Sequence, residues 1–294
     1  MSVPVEQEAG ASDRAFALLQ DVLPQQVLSK WMHRVARSTV PALRTGFIRA
    51  FLRAYPTIDL AEAAQPDPYA YPSFNAFFTR SLRPGVRPLA GGDDVLVSPV
   101  DGTLSQLGTL RDGELLQAKG IRYSAGALLA DESAAARYEG GPYACIYLAP
   151  YDYHRIHMPL AGQLRATRYV PGALYSVNAS TSRAVPNLYT RNERVVCEFD
   201  TDAGPLALVL VGALFVGSIE TVHAGEINPP PVRGGAMRSI DTGLGTRFAR
   251  GDELGRFNMG STVIVLAGRG DLRLVDGLGP CSRLRLGQAL ARRG

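Results

Sequence analysis

Three short segments of the sequence carry side chains that could do acyl chemistry. Near the C-terminus a glycine and two hydroxyl residues, Gly260-Ser261-Thr262, stand directly before an apolar run. A serine hydroxyl is a weak nucleophile unless a base takes its proton. Alone, this tripeptide is ordinary turn chemistry, and it gains meaning from two other segments that contain Asp101 and the pair His154 and His157.

The two histidines belong to segment 151–159 and stand three residues apart. Such a pair can suggest a metal site, but no acidic or cysteine ligand stands at the spacing of a zinc motif, so we predict no metal. On a regular strand this odd separation would point the two rings to opposite faces. We therefore predict a turn at 151–153 that leads into a strand, so that the histidines serve different steps.

Composition and charge are those of a folded protein that is not specialised for nucleic acid. Of 294 residues, 46% are hydrophobic and 20% are charged, and the net charge is +4, which excludes a disordered chain. No basic stripe with interleaved aromatic residues suggests nucleic-acid binding. The N-terminus lacks the pattern of a signal peptide, and the uncharged run 203–219 is too short for a membrane span. We expect a cytosolic protein.

The N-terminal region has helical periodicity. Segments 12–22 and 25–38, and a third that follows Pro41, repeat apolar residues at the spacing of one helical face. Lys30 and several arginines occupy the other side of the second and third segments, which suits an anionic bilayer surface. The alternative is that these apolar faces pack on the core or on a partner subunit. We predict that 1–64 is an amphipathic, membrane-associating region.

A proline-rich stretch at 65–72 marks a boundary, after which short strands separated by turns predominate. The predicted strands are 143–148, 164–170, 194–200, 205–211, 215–222, 261–267 and 271–275, together with a hairpin of 103–108 and 114–118 around Asp112-Gly113. We expect the loop 228–246 to lie on the surface near the site. The sequence thus predicts an α+β fold in which residues 65–294 form a mostly antiparallel, barrel-like or sandwich-like β domain.

Several motifs stand in an order that identifies a family. The chain resembles bacterial phosphatidylserine decarboxylase proenzymes over most of residues 70–267. The matching segments are Ser73-Phe74-Asn75-Ala76-Phe77-Phe78-Thr79-Arg80, Ser98-Pro99-Val100-Asp101-Gly102, the two-histidine segment, Tyr169-Val170-Pro171-Gly172, Pro186-Asn187-Leu188 and Gly260-Ser261-Thr262. One departure is Met259, where the family usually has leucine. This change keeps volume and polarity, so we do not expect it to disable cleavage.

The resemblance implies self-cleavage between Gly260 and Ser261 into a β chain, 1–260, and an α chain, 261–294. It places Asp101, His157 and Ser261 in a relay in which His157, oriented by Asp101, removes the hydroxyl proton. Gly260 would tolerate the strained backbone that such an attack requires. Ser261 would become a pyruvoyl group, the covalent cofactor that accepts electrons during decarboxylation. The resemblance implies His154 as the acid for the α-carbon of the substrate, and the alternative is that His157 serves both steps.

The resemblance also implies partners and a location. The substrate would be phosphatidylserine, at the cytoplasmic face of the cell membrane, and the α and β chains would stay associated in a homo-oligomer. Three alternatives stay open: a pyruvoyl decarboxylase of a soluble amino acid, a hydrolase that uses a free N-terminal Ser261, and a lipid-binding β domain without catalysis. The chemical state of residue 261 separates the last two from the decarboxylases.

Overall fold

The computed structural model describes residues 8–118, 120–215, 218–228, 235–268 and 272–294. Its α-helices are α1 (Ala11–Val22), α2 (Gln25–Ala36), α3 (Pro41–Ala54), α4 (Phe74–Phe78), α5 (Ala125–Leu129), α6 (Glu132–Ala135), α7 (Ala179–Ala184) and α8 (Leu188–Arg191). Short 3-10 helices span Leu60–Glu62, Pro68–Ala70 and Ala136–Tyr138. The strands are β1 (Val95–Val97), β2 (Gly102–Thr109), β3 (Glu114–Ala118), β4 (Ile121–Ser124), β5 (Pro142–Leu148), β6 (Arg155–His157), β7 (Gly162–Val170), β8 (Arg194–Thr201), β9 (Gly204–Val211), β10 (Ile219–Thr221), β11 (Gly225–Glu226), β12 (Arg238–Ser239), β13 (Arg247–Phe248), β14 (Glu253–Phe257), β15 (Ser261–Ala267), β16 (Leu272–Leu274), β17 (Arg283–Leu284) and β18 (Ala289–Arg293).

A large antiparallel sheet organises the chain. Its strand order is β12-β7-β8-β9-β15-β5-β2-β17, and β13 also pairs with β7. Smaller antiparallel sheets have the orders β11-β10-β14-β6, β1-β18-β16 and β3-β4. The path of the large sheet is open at β12 and β17, so its described strands form a layer and not a closed barrel. The predicted α+β fold with mostly antiparallel strands is confirmed.

Both faces of the large sheet are buried, as β15 shows. Val263 and Val265 belong to one core cluster, whereas Ile264 and Leu266 belong to another, because successive side chains of a strand point to opposite faces. The first cluster includes residues of the two smaller sheets that contain β1 and β14. The second includes residues of α5, α8 and β4. The sheet is therefore covered by strands on one side and mainly by short helices on the other.

The strongest apolar runs form strands where they are predicted. Strand β15 has the predicted bounds 261–267. Within the predicted strand 215–222 the structure has only the shorter β10, and residues 216–217 lie outside the described residues. The predicted hairpin of 103–108 and 114–118 is wrong. The turn at Asp112-Gly113 exists, but β2 pairs with β5 and β3 pairs with β4. The buried residues of β2 thereby join the large sheet.

The loop predicted at 228–246 also contains structure. Strand β12 lies within it and pairs with β7, so this part of the segment extends the edge of the large sheet. Residues 229–234 of the predicted loop lie outside the described residues.

The first helix is packed with its polar side inward. Asp13 and Gln20 are buried, and their side chains hydrogen-bond Arg183 (2.9 Å) and Thr181 (3.1 Å) of α7. The apolar side chains of α1, including Leu18, Leu19 and Val22, are exposed. Packing on the core therefore does not account for the apolar face of α1.

The third helix behaves differently from the first. Ile48 is fully buried, and Phe47 and Phe51 pack edge-on against Phe74 of α4. The alternative of core packing therefore holds for α3. No helix in the described ranges combines the length and the apolarity needed to cross a bilayer. A domain boundary at residue 64 stays a prediction.

Candidate active site

Ser261 begins the strand at the centre of the large sheet. It pairs with Leu148 of β5, and the next residue, Thr262, pairs with both Tyr147 of β5 and Val211 of β9. The hydroxyl oxygens of Ser261 and Thr262 are buried and have no hydrogen-bond partner within the described part of the chain. Most buried hydroxyls in proteins are hydrogen-bonded, so two adjacent unpartnered ones mark a site that is not built for stability alone.

The backbone before Ser261 is strained at Met259. Its φ is +115°, a conformation that residues with a Cβ rarely adopt and that costs on the order of 1–3 kcal/mol. Gly260 was expected to carry this strain, but it is not among the glycines with positive φ. A Cβ built on Gly260 would meet Leu148 O at 3.6 Å and His154 Cε1 at 3.9 Å, which are ordinary contacts. The strain thus lies one residue earlier than predicted.

The segment before the strained residue is tied to the N-terminal helices. Asn258 donates from Nδ2 to Ser218 Oγ (2.8 Å), and its backbone N–H donates to Ser218 O (2.9 Å). The Ser218 hydroxyl in turn donates to Glu226, which also binds His33 (2.9 Å) and Arg37 (2.7 Å) of α2. A chain of polar contacts therefore runs from α2 to the residue next to Met259.

The charge of Glu226 is stabilised by these contacts. Burial raises the pKa of Glu226, but the hydrogen bonds from His33 and Ser218 and the charge of Arg37 outweigh burial and lower its pKa to about 2. The carboxylate that links α2 to Ser218 is therefore ionised throughout the neutral range.

His154 lies beside Gly260. Its ring is fully buried and stacks on Phe78 of α4, with ring centroids 4.1 Å apart. Nε2 is 3.3 Å from Pro150 O, and because a carbonyl only accepts, Nε2 carries the hydrogen and the lone pair belongs to Nδ1. Nδ1 is buried and has no hydrogen-bond partner among the residues that the structure describes. Burial lowers the pKa of His154 to about 3, so the ring is neutral at physiological pH.

His157 occupies a different environment, as the odd spacing predicts. Its Nδ1 donates to Gly251 O at 2.8 Å, and its Nε2 accepts from the Tyr153 hydroxyl at 3.1 Å. Burial lowers the pKa of His157 as well. The ring is therefore neutral, with its lone pair on Nε2. The predicted turn at 151–153 leads into β6, which ends at His157.

Asp101 is buried at the start of β2 and is already well bound. Its carboxylate accepts from Arg87 Nε (2.9 Å) and Nη2 (2.7 Å) and from the backbone N–H of Leu286 (2.8 Å). Asp101 and His157 approach each other through the backbone, since the His157 N–H donates to Pro99 O at 2.9 Å. Across the described residues, no hydrogen bond joins Asp101, His157 and Ser261 into the predicted relay.

The structure thus brings Ser261, Gly260 and His154 together and places Asp101 and His157 in a neighbouring region. A cavity of about 310 Å³ opens at Gly260 and Ser261. Its apolar lining includes Phe51, Tyr55, Phe78, Leu148 and Leu214. The buried, unpartnered hydroxyl of Ser261 beside this cavity suits a pyruvoyl group, because conversion of Ser261 would break no hydrogen bond to a described residue.

Three residues of this region were not assigned roles from the sequence. Phe78 and Arg80 belong to the motif 73–80, and Tyr153 belongs to the two-histidine segment, but only the fold shows what they contact. Isolated aromatic and basic residues have no sequence signature of their own. The available signal was their place within motifs that already held other candidate residues.

Comparisons with known proteins agree along the chain. A family model described as "Phosphatidylserine decarboxylase" matches residues 74–292, and another described as "PSD" matches residues 15–56. Proteins named "Phosphatidylserine decarboxylase proenzyme" from Methylococcus capsulatus, Azotobacter vinelandii and Acidovorax ebreus are 48%, 49% and 50% identical to this chain. The alignments cover 94%, 95% and 96% of this chain and 96%, 98% and 99% of those proteins. With matches of this extent on both sides of the Ser261 site, the chain belongs to the phosphatidylserine decarboxylase family.

Proposed function

We propose that this chain is a self-processing decarboxylase that converts phosphatidylserine into phosphatidylethanolamine and CO2, using a pyruvoyl group made from Ser261. One observation carries the proposal: the Ser261 hydroxyl is buried without a hydrogen-bond partner among the described residues, two residues after the strained Met259. The names of the relatives support the substrate, and the word proenzyme in them agrees with self-cleavage.

The cleavage begins with attack by Ser261 Oγ on the carbonyl carbon of Gly260, after a base has taken the hydroxyl proton. The C–N bond between the two residues breaks as its nitrogen gains a proton, which leaves an ester. Loss of the Ser261 α-proton then expels the Gly260 carboxylate, and uptake of one water with release of one ammonia completes the pyruvoyl group. Because both reacting groups belong to one chain, the effective concentration is high.

The proposed base is His157, with Asp101 as its partner. Its contact with Gly251 O holds His157 in the tautomer that leaves the lone pair on Nε2, and burial keeps the ring neutral. Both properties suit a general base. In the uncleaved chain Nε2 accepts from Tyr153, Nδ1 donates to Gly251 O, and Asp101 binds Arg87. The relay therefore requires Nε2 to turn to Ser261 and Asp101 to replace Gly251 O at Nδ1.

The pyruvoyl group, once formed, supplies the electron sink for loss of CO2. Phe78 and Leu148 would keep water from the apolar side of the cavity. His154 is proposed to hold the proton that the substrate α-carbon receives. Because its ring is neutral, His154 must first take up that proton, and its unpartnered Nδ1 is the position that can accept it.

We also propose that the chain binds the cytoplasmic face of the membrane through α1 and α2. Val22 is 79% exposed and Trp31 is 68% exposed, with the basic residues Lys30 and Arg34 exposed beside Trp31. Exposed bulky apolar side chains beside cations are typical of helices that lie in an anionic interface. We also propose that αβ units associate into a homo-oligomer. The exposed surface of α1 and α2 is the alternative place for contacts between these units.

Intact-protein mass spectrometry beside a Ser261→Ala variant tests the central claim. We expect two fragments that split between Gly260 and Ser261, with the small fragment lighter by one ammonia than a fragment that begins with serine. The variant should stay whole. A small fragment with a free N-terminal serine would favour a hydrolase, and an uncleaved, folded wild-type chain would favour a lipid-binding domain. Assays with phosphatidylserine and with free serine then separate a lipid decarboxylase from one that acts on a soluble amino acid.

A further inference from the structure

Arg80 is a buried cation whose guanidinium is not neutralised by a direct protein contact. The residue follows α4 and is only 5% exposed. Its Nε and Nη1 are buried, and neither atom has a hydrogen-bond partner in the described part of the chain. The guanidinium carbon lies 5.5 Å from the centre of the Phe77 ring, which is a weak substitute for an anion.

Other arginines of the chain show how this protein normally buries a guanidinium. Arg194 is 2% exposed, and it donates to four backbone carbonyls, those of Ala127, Leu128, Thr190 and Asn192, at 2.6–3.1 Å. Burying a charge without partners costs several kcal/mol, and burial lowers the pKa of Arg80 accordingly. Burial of the Arg80 charge therefore destabilises the folded chain, and the contacts of its side chain do not compensate for this loss.

Arg80 lines a cavity of about 390 Å³ that lies next to the proposed catalytic region. Tyr151, Asp152 and Tyr153 line this cavity, whereas Pro150, directly before them, lines the cavity of Ser261. The segment that leads to His154 therefore borders both cavities. Helix α4 also contributes to both regions, because Phe78 stacks on His154 and the Phe77 ring lies against the Arg80 guanidinium.

Three of the four carboxylates that line this cavity have cationic partners, and the fourth, the exposed Asp59, accepts from the backbone N–H of Ala61 at 2.8 Å. Asp101 binds Arg87 at 2.7 Å, and Asp152 binds Arg283 at 2.6 Å. Glu62 also binds Arg87, at 2.7 Å. Among the buried charges of this cavity, Arg80 is the one left to attract an anion. A phosphate or phosphodiester monoanion matches it, because guanidinium groups bind such oxygens through two parallel hydrogen bonds.

We propose that Arg80 is the anchor of a phosphate-binding subsite beside the Ser261 cavity. Its ligand is a phosphate group, either the phosphodiester of a serine-bearing lipid head group or free inorganic phosphate. The lipid source rests on the function proposed above, whereas binding of the phosphate group itself does not require decarboxylation. Arg80 would thus fix the position of the head group, and residues around Ser261 would act on its serine end.

Calorimetric titration of the uncleaved Ser261→Ala protein with glycerophosphoserine and, separately, with inorganic phosphate tests this subsite. We expect Arg80→Gln to weaken binding by about tenfold or more, since a charge-assisted hydrogen bond contributes about 1.5–3 kcal/mol. Arg165→Gln is the matched control, because it removes the same charge from the exposed surface. Binding of glycerophosphoserine alone would identify the head group as the source, and equal binding of both ligands would identify free phosphate as a ligand too.

A second measurement guards against misfolding. If Arg80 serves a ligand and not the fold, Arg80→Gln should melt at or above the parent temperature in phosphate-free buffer, since an uncompensated buried charge has been removed. Arg80→Lys keeps the positive charge but cannot form the two parallel hydrogen bonds of a guanidinium group. This variant should bind the phosphate ligand more weakly than the parent and more tightly than Arg80→Gln. The proposal is overturned if the parent binds neither ligand, or if a folded Arg80→Gln binds as tightly as the parent. Self-cleavage is followed separately, in a chain that carries Arg80→Gln and keeps Ser261. If this chain cleaves normally although Arg80→Gln abolishes binding, the pyruvoyl proposal is unaffected.

Discussion

The imidazole ring of His154 stacks on the phenyl ring of Phe78, with centroids 4.1 Å apart and planes inclined by 20°. This contact fixes the ring beside Gly260 while its Nδ1 stays unpartnered. The histidine beside Gly260 is therefore a neutral base that packs against an aromatic ring, and His157, the proposed base for cleavage, lies in a separate environment. The division of work between the two histidines can be tested directly.

Replacing His154 with alanine should separate cleavage from decarboxylation. We expect normal conversion into two chains on denaturing gels but release of CO2 from carboxyl-labelled phosphatidylserine that is about a hundredfold to ten-thousandfold slower, the usual contribution of a general acid or base. His223→Ala, at a histidine that binds Thr167, is the matched control. Loss of cleavage in His154→Ala would assign His154, and not His157, to the first step.

The rate of self-cleavage should report the lowered pKa of His157. A base must be neutral, and burial lowers the pKa of this ring below the usual value of about 6.5, so the rate should be flat near neutral pH and fall only at more acid pH. This dependence is measured by following the cleavage of freshly synthesised chain at several pH values between about 5 and 8, the range in which histidine titrates. A rate that already falls at or above the usual histidine pKa would contradict it.

Tyr153→Phe removes the hydroxyl that donates to His157 Nε2. If that nitrogen is the base, the variant should cleave at least as fast as the wild type, because its lone pair is no longer occupied. His157→Gln should not cleave. An uncleaved but folded Tyr153→Phe protein would show that the hydroxyl itself takes part.

The buried neutral ring of His154 should also make the uncleaved protein sensitive to acid. The unfolded chain binds a proton at the usual pKa of about 6.5, whereas the folded chain does so only near 3, so folding stability is lost as pH falls between these values. At pH 5 this loss amounts to about 2 kcal/mol. Urea unfolding of Ser261→Ala with and without His154→Gln at neutral pH and at pH 5 should show a smaller loss in the double variant. Equal losses would mean that the ring is accessible to protons in the folded chain.

Membrane binding should depend on the exposed apolar residues of α2. Replacing Val27 and Trp31 with serine should weaken binding to anionic vesicles by about tenfold or more, because each buried apolar side chain contributes about 1.5–3 kcal/mol. Leu244→Ser, at an exposed leucine elsewhere, serves as the control in vesicle co-sedimentation. Unchanged vesicle binding together with a changed oligomeric state would assign this surface to contacts between subunits.

Glu226→Gln tests the polar chain that joins α2 to the cleavage segment. Because the carboxylate binds His33, Arg37 and Ser218, we expect a loss of about 1–3 kcal/mol in the free energy of unfolding, together with slower self-cleavage. Glu114→Gln, at an exposed position, is the control. Cleavage at the wild-type rate in the destabilised variant would show that the support of Asn258 is structural only.

The sequence predicts strand positions best where the chain has an unbroken run of apolar residues. Strand β15 could be predicted to the residue because both of its faces are buried, so that every position from Val263 to Leu266 is apolar. The hairpin prediction failed because a good turn at Asp112-Gly113 says nothing about which distant strand β2 will pair with. Local patterns determine an element, whereas its partner depends on long-range packing.

The candidate site shows the same difference between what local sequence patterns predict and what depends on long-range packing. Motifs identified Ser261, His154, His157 and Asp101 as residues of interest, but only the fold shows that Arg87 holds Asp101. The inverted packing of α1 could not be predicted either, since an amphipathic pattern does not say which face turns inward. The strain at Met259 arises from the connection between two sheets and has no signature in the residue type.

The central position of β15 has a consequence for the mature protein. A cut before Ser261 would leave this strand hydrogen-bonded to β5 and β9, while β17 and β18 of the same fragment remain paired with β2 and β1. The small chain could then leave only if the whole molecule unfolded. Each mature pair would be permanent, so two differently labelled populations, mixed after maturation, would never exchange their small chains.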